Sequence, residues 1–399
     1  MLENIANIDG IRLSAINVGI KQKNRPDLCL IETQAGSSCA AVFTLNRFAA
    51  APVQIAKKHL GLNAAARYLL VNSGNANCGT GEVGIEDAEN LCARVAELAG
   101  VDGASVLPFS TGVIGERLPV EKMAAGLEEL YNNLSSQAWS ECASAIMTTD
   151  TRPKLVSVQF ECGDQTCSIT GIAKGAGMIK PNMATMLSYI ATDAEVEQAS
   201  LQAALQQAVN ASFNRITIDG DTSTNDSVVL FATGARMNTA LHPGHPDWQT
   251  FEAALREVCT TLAKACVADG EGATKFVEVR VTSPSLSMSE TIGFTVAESP
   301  LVKTALFASD PNWGRILAAI GRAPVEPFEI SDVAIYLGDY QIVKDGSIVA
   351  DYDESKAAAV MAQQEIDIVI RIGNGKEQCS IWTSDLSYDY VKINAEYRT

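Results

Sequence analysis

The chain has 399 residues, 47% hydrophobic and 19% charged, a globular balance with enough apolar surface for one large or two medium cores. Its 47 acidic and 30 basic residues leave a formal charge of -17, which repels a nucleic-acid backbone and an anionic membrane alike. No stretch reaches the roughly 18 apolar residues of a membrane helix, and the opening MLENIANIDG lacks a basic start before an apolar core, so a cytoplasmic protein is expected.

Early in the chain, QIAKKHL has the pattern of a helix end, with His59 where a cation is favourable. RYLLVNSG (67 to 74) reads as a buried strand, and GIEDAENLCARVAELAGV as a helix with Leu91, Val95 and Leu98 on its apolar face. ASVLPFSTGVIG (104 to 115) repeats the strand-then-polar pattern and leads to helices in VEKMAAGLEELYNNL and SQAWSECASAIMTT. KLVSVQFECGDQTCSITGIAKG reads as a hairpin around a Gly-Asp turn. MLSYIATD then predicts a strand, EQASLQAALQQAVNASF a helix, SVVLFATG a strand, and Asp247 to Ala268 a long helix.

Beyond KFVEVRVTS and the helix-like NWGRILAAIGR, the pattern from residue 328 is mostly strand: DVAIYLGD, GSIVADYD, IDIVIRIG and EQCSIWTSD, with one helix in ESKAAAVMAQQ. Strands and helices in this mixture predict an α+β fold of layered helix and sheet. The main domain is expected over residues 1–280, with a smaller C-terminal α/β lobe over 281–399.

Ten scattered cysteines form no C-x-x-C pair and suit buried, reduced thiols rather than a metal site. His242 and His245 lie in the turn LHPGHPDW, so the three histidines offer little to a catalytic triad or a zinc site. DGDTSTND is rich in oxygen donors but lacks the twelve-residue order and terminal glutamate of a calcium loop, and reads as structural support. Chemistry without histidine or metal is expected.

KGAGMIKPNMATML (174 to 187) carries the strongest chemical signal. It lacks the G-x-x-x-x-G-K-[ST] order of a phosphate loop, since Lys174 precedes Gly175 and Lys180 is followed by proline. Two readings remain from the residues alone: a loop entering a buried strand, or a peptide that Thr185 attacks by N-to-O acyl shift, leaving a threonine whose own α-amine serves as base. Gly175, Gly177 and Pro181 are compatible with the bent approach that such an attack needs.

The same segment resembles the self-processing motif of the ornithine acetyltransferase family, the bifunctional glutamate N-acetyltransferases of arginine biosynthesis. NSGNANCGTG (72 to 81), PFSTGVIGERLP (108 to 119), MTTDTRPK (147 to 154), FNRITIDGDTSTND (213 to 226), DGEGATKF (269 to 276), SDPNWGRI (309 to 316) and VKINAEYRT (391 to 399) extend the likeness along the chain in family order. One departure is Cys78-Gly79, where the family pattern has Ala-Cys.

The resemblance implies a layered fold like that of self-processing aminopeptidases and ornithine acetyltransferases. It implies cleavage between Ala184 and Thr185 into chains 1–184 and 185–399, and Thr185 as nucleophile. An oxyanion hole is implied at Thr111 and Gly112, and substrate contacts at Thr148, Lys174, Thr185, Glu271, Asn394 and Thr399. N-acetylornithine and glutamate are then the substrates in a ping-pong cycle without cofactor, with acetyl-coenzyme A open as a second donor. An α2β2 assembly of the cleaved chains is also implied. A self-processing N-terminal-nucleophile aminopeptidase and an uncut small-molecule-binding protein are the rival readings, separated from the first by acceptor and by cleavage.

Overall fold

A computed structural model describes residues 5–20, 25–62, 65–180 and 186–397. They divide into two units, Met1–Asn214 with Asp221–Cys266, and Arg215–Gly220 with Val267–Thr399. In the first unit the chain runs β1 (Ile11–Ile16), β2 (Leu28–Thr33), β3 (Ser38–Phe43), α1 (Ala51–Gly61), β4 (Tyr68–Asn75), α2 (Gly81–Ala99), β5 (Val106–Val113), α3 (Val120–Asn132) and α4 (Trp139–Ala145). It continues through β6 (Lys154–Cys162), β7 (Gln165–Lys174), β8 (Leu187–Thr192), α5 (Gln198–Ala211), β9 (Ser227–Ala232) and α6 (Trp248–Ala268), whose last two residues fall in the second unit.

Two sheets form, ordered β1-β2-β4-β5 and β3-β9-β8-β7-β6. The pairs β4–β5 and β8–β9 are parallel, and α2 and α5 supply the crossovers that parallel neighbours require. Between the sheets lies one apolar core, with Leu13, Ile31, Val71 and Phe109 from the first and Ile172, Leu187, Tyr189 and Phe231 from the second. Phe109 and Tyr189 meet edge to face with centroids 5.3 Å apart.

The opposite face of the first sheet buries Leu30, Tyr68 and Leu70 beneath α2 and α3. On the second sheet, a Cβ at Gly171 would come within 3.1 Å of Val258 and Leu262 of α6. Four layers result, helix on sheet on sheet on helix. Strands covered on both faces explain why β2, β8 and β9 are buried at every position and read as continuous apolar runs rather than alternating ones.

His59 lies in the last turn of α1, as expected, with its ring buried and its Nδ1 2.7 Å from the Val106 carbonyl, tying α1 to β5. One sequence expectation needs correction here. Leu98 is 40% exposed although Leu91 and Val95 are buried. At 3.6 residues per turn it stands roughly a quarter-turn from the centre of the stripe that Ala88, Leu91, Cys92 and Val95 form.

The second unit contains β10 (Phe276–Ser283), α7 (Leu286–Ala297), α8 (Pro300–Phe307), α9 (Trp313–Gly321), β11 (Val333–Leu337), β12 (Tyr340–Lys344), β13 (Ser347–Ile348), α10 (Glu354–Met361), β14 (Glu365–Ile372), β15 (Glu377–Ser384) and α11 (Tyr388–Ala395). Its sheet is ordered β13-β12-β11-β14-β10-β15. Val277, Val279 and Val281 of β10 share a core with Ile292 and Val296 of α7, Ile316 and Ile320 of α9, and Ile368 and Ile370 of β14. Among the described residues no helix is long and apolar enough to cross a membrane. Nine of the ten cysteines are buried, Cys39 is half-buried, and all ten are free thiols.

Candidate functional site

In the first unit the parallel strands β4 and β5 end side by side in NSGN and STGV, with the register slipping at Gly74 and Asn75. Gly112 sits there at a φ of +133°, and a Cβ on it would come 2.3 Å from the Gly74 carbonyl carbon. Only glycine accommodates both that dihedral and that approach. Polar side chains brace these strand ends: Ser110 Oγ donates to Asn72 Oδ1 (2.6 Å), and Asn225 Nδ2 donates to the carbonyls of Ala76 (2.6 Å) and Ser110 (2.8 Å). Thr44 Oγ1 and Asn46 Nδ2 donate to the carbonyls of Ser223 and Thr222, so the stretch DGDTSTND contributes residues 222 to 225 as scaffolding for the strand ends.

At the end of β7, Lys174 is buried and its Nζ donates to Thr111 Oγ1 at 3.0 Å. An ammonium has only donors, so the Thr111 oxygen accepts and its own hydrogen is left to donate elsewhere. One residue on, the Gly175 amide donates to Asp150 Oδ1 at 2.7 Å. The same carboxylate accepts from Lys154 Nζ at 2.5 Å and, through Oδ2, from the Thr148 amide at 3.0 Å.

Burial alone would raise the Asp150 pKa, but the charges of Lys154 and Lys174, with the hydrogen bonds from Lys154 and the Gly175 amide, outweigh it and hold the group at about 2. A carboxylate ionised at neutral pH therefore joins the segment carrying Thr148 to the one carrying Lys174. Lys154 and Lys174 are both buried and both act on this one carboxylate. Arg25 adds a third cation nearby, its Nη2 donating to the Met147 carbonyl at 2.6 Å.

Beyond Gly175 the chain carries buried Ala176 and Ile179 on either side of Met178, a non-glycine residue at a φ of +54° and 41% exposed. On the far side of the loop, Leu187 pairs with Lys174 in the β7–β8 ladder. Ala184 and Thr185 lie outside the described residues, as does Thr399.

In the second unit, Glu271 is buried at the loop before β10, and Asn394 projects from α11. Asn394 Nδ2 donates to Glu271 Oε2 at 2.7 Å and to the Tyr390 carbonyl at 3.0 Å. Gly272, at a φ of +67°, lets the loop press on the helix start, since a Cβ there would come 2.5 Å from the Tyr390 nitrogen.

Thus the structure joins Thr111 to Lys174 directly, joins Thr148 to that pair through Asp150, and separately pairs Glu271 with Asn394. Asp150 and Lys154 were not singled out in the sequence. Their only signal was a carboxylate and an ammonium four residues apart in MTTDTRPK, a spacing that in a non-helical, proline-containing stretch reads as an ordinary solvated pair.

The ArgJ family model matches residues 12–399. The arginine biosynthesis bifunctional protein ArgJ of Pseudomonas fluorescens is 51% identical over 400 residues, covering 100% of this chain and 98% of the relative. That of Methylococcus capsulatus is 51% identical over 393 residues, covering 98% of this chain and 96% of the relative. Among solved structures, the arginine biosynthesis bifunctional protein argJ of Bacillus halodurans matches with a TM-score of 0.51 at 41% identity, over 53% of this chain and 99% of that one.

Proposed function

The chain belongs to the ArgJ family and is an acetyltransferase of arginine biosynthesis; from this premise we propose that it transfers the acetyl group of N-acetylornithine to glutamate through an ester on Thr185, after cutting itself between Ala184 and Thr185. The observation that carries this reading is the Lys174–Thr111 hydrogen bond at the head of the β7–β8 ladder, two residues from the nucleophile by way of Leu187. A cut before Thr185 leaves a fragment of 215 residues, 54% of the 399. The solved argJ chain is matched over 99% of its length by 53% of this one, which supports a polypeptide of about that size.

In self-cleavage the Thr185 Oγ attacks the Ala184 carbonyl carbon, and the C–N bond breaks to leave an ester. Water hydrolyses it, releasing the Ala184 carboxylate and a threonine with free hydroxyl and α-amine. In the transfer cycle that amine takes the hydroxyl proton as Oγ attacks the acetyl carbonyl of N-acetylornithine. The oxyanion is met by the Thr111 hydroxyl, whose hydrogen Lys174 leaves free, and by the backbone at Gly112. Ornithine departs with the proton on its α-amine; the glutamate α-amine then attacks the acetyl-threonine ester, the C–O bond breaks as the amine's proton passes through the Thr185 α-amine to Oγ, and N-acetylglutamate leaves.

Both substrates carry an α-carboxylate, which suits the cationic excess at Lys174 and Lys154 over Asp150. Glu271, held by Asn394, is the acceptor for the side-chain ammonium of the ornithine substrate. Acetyl-coenzyme A serves as a second donor in the same ester chemistry, in keeping with the bifunctional names of the relatives. The cleaved chains assemble as α2β2 in the cytoplasm.

Denaturing electrophoresis and an acetyl-transfer assay test the reading together. Wild-type protein gives two bands and transfers acetyl from N-acetylornithine to glutamate. Thr185→Ala gives one inactive chain, and Thr185→Ser still cuts. Efficient cleavage of the alanine variant would exclude Thr185 as nucleophile, and release of free acetate without N-acetylglutamate would favour the hydrolase.

A further inference from the structure

In the second unit, three hydrogen bonds converge on one carboxylate that none of the proposed chemistry uses. Asp385, which follows β15, is 3% exposed. Its Oδ1 accepts from the amides of Thr274 (2.8 Å) and Lys275 (3.0 Å), and its Oδ2 from Thr274 Oγ1 (2.5 Å). These donors all belong to the segment that carries Glu271. Two residues beyond Asp385, Ser387 Oγ donates to the Gly272 carbonyl at 2.6 Å and accepts from the Tyr390 amide as the cap of α11, the helix that carries Asn394.

Behind this junction stands Lys303 of α8, 2% exposed, whose Nζ donates to Thr383 Oγ1 at 3.0 Å and to the Ser384 carbonyl. The chain from Thr383 to Ser387 is thus anchored on one side to a buried cation and on the other to the loop of Glu271.

We propose that Asp385, next in the chain to the Ser384 carbonyl that Lys303 holds, is a positioning residue: by clamping Thr274 and Lys275 it sets the Glu271 carboxylate against Asn394, and so sets affinity for the cationic substrate. The inference rests on the reading of Glu271 as the acceptor for the ornithine side chain. Three donors on one carboxylate fix its orientation more tightly than a single bond would, and a loop held at both Gly272 and Thr274 has little freedom at the adjoining, buried Glu271. Burial pushes the Lys303 ammonium down to about 8 while the carboxylates of Asp385, Asp219 and Glu298 act in its favour, so the anchor is itself held by charge.

The test is steady-state kinetics of the cleaved enzyme with N-acetylornithine and, separately, with glutamate. Variants are Thr274→Val, which removes one donor to Asp385 at constant volume, Thr274→Ser, Glu271→Gln, and the double variant Glu271→Gln/Thr274→Val. Thr274→Val should raise KM for N-acetylornithine roughly tenfold, with kcat and the KM for glutamate changed much less, and Thr274→Ser should restore it. In the double variant the KM should match that of Glu271→Gln alone, because Thr274 acts through Glu271. Asp385→Asn, which keeps Oδ1 and replaces Oδ2 by an amide nitrogen, is judged by the same criteria should Thr274→Val not fold. An unchanged KM in Glu271→Gln would overturn the substrate role of Glu271 itself. A raised KM in Glu271→Gln beside a normal one in Thr274→Val, or multiplying effects in the double variant, would overturn the positioning role alone.

Discussion

Asp150 shows how one buried side chain can tie together segments far apart in the chain. It is buried, carries Lys154 and the amides of Thr148 and Gly175, and sits in the field of Lys174. Replacing it by Asn leaves two buried ammonium groups without their carboxylate and turns an acceptor into an amide donor facing other donors. The cost should be about 3–5 kcal/mol at pH 7. Its folded pKa of about 2 lies below the ordinary aspartate value of 3.8, so the stabilisation is complete above about pH 4 and is lost as pH falls through 2. At about 1.4 kcal/mol per unit this pH-dependent part is roughly 2 kcal/mol. Urea unfolding at pH 7 and between pH 4 and 2 checks both statements: Asp150→Asn should lower the midpoint at pH 7 and flatten the acid slope. A variant within about 1 kcal/mol of wild type at pH 7 would contradict the account.

Among the elements, the parallel pair β4–β5 leaves no room for a side chain where its strand ends meet. Gly112 takes a φ of +133° and a Cβ there would meet backbone on the facing strand, with the Gly74 carbonyl carbon at 2.3 Å and the Asn75 nitrogen at 2.5 Å. Backbone cannot rotate away as a side-chain tip can. Gly112→Ala should therefore lower stability by about 3 kcal/mol or more and abolish transfer, because the strands must part at the proposed oxyanion position. Calorimetry and the acetyl-transfer assay measure the two effects, and a variant with wild-type Tm would show that the strand ends yield easily. The glycine is visible at the polar end of the strand pattern in ASVLPFSTGVIG, but its facing partner Gly74 lies 38 positions earlier in the chain and only the pairing register brings the two together.

The same division runs through the other elements. Apolar runs and one helical period exposed β4 to β9, α5, α6 and the Gly-Asp hairpin, because those signals are local. Helices α7 and α8 were missed: SMSETIGFTVA is rich in serine and β-branched residues and has no polar face, being buried widely, although Ser285 and Ser299 cap both helices and Pro300 opens the second. Helix α11 was missed in VKINAEYRT and the residues before it for want of an apolar stripe, and none of its residues is buried. Thr111, Lys174, Thr148, Glu271 and Asn394 could be named from motifs, whereas the groups that hold them, Asp150 and Asp385, act across 25 and 111 residues of chain, distances over which no local pattern speaks.

Over the whole molecule, the charge of -17 acts differently on the two proposed substrates. N-acetylornithine has one carboxylate and one ammonium and is neutral overall; glutamate carries two carboxylates and one ammonium and is an anion. The general field of the protein should therefore oppose glutamate and leave N-acetylornithine nearly unaffected, while the α-carboxylate contact proposed for Lys174 is common to both. Raising ionic strength from 0.01 M to 0.1 M shortens the Debye length from about 30 Å to about 10 Å, which suppresses the long-range repulsion but not contacts within the pocket. The ratio of the KM for glutamate to the KM for N-acetylornithine should fall as salt is raised over this range. A ratio that rises with salt would mean that a local positive field outweighs the net charge, and would place the cationic excess around Lys174, Lys154 and Arg25 in control of how glutamate reaches the ester.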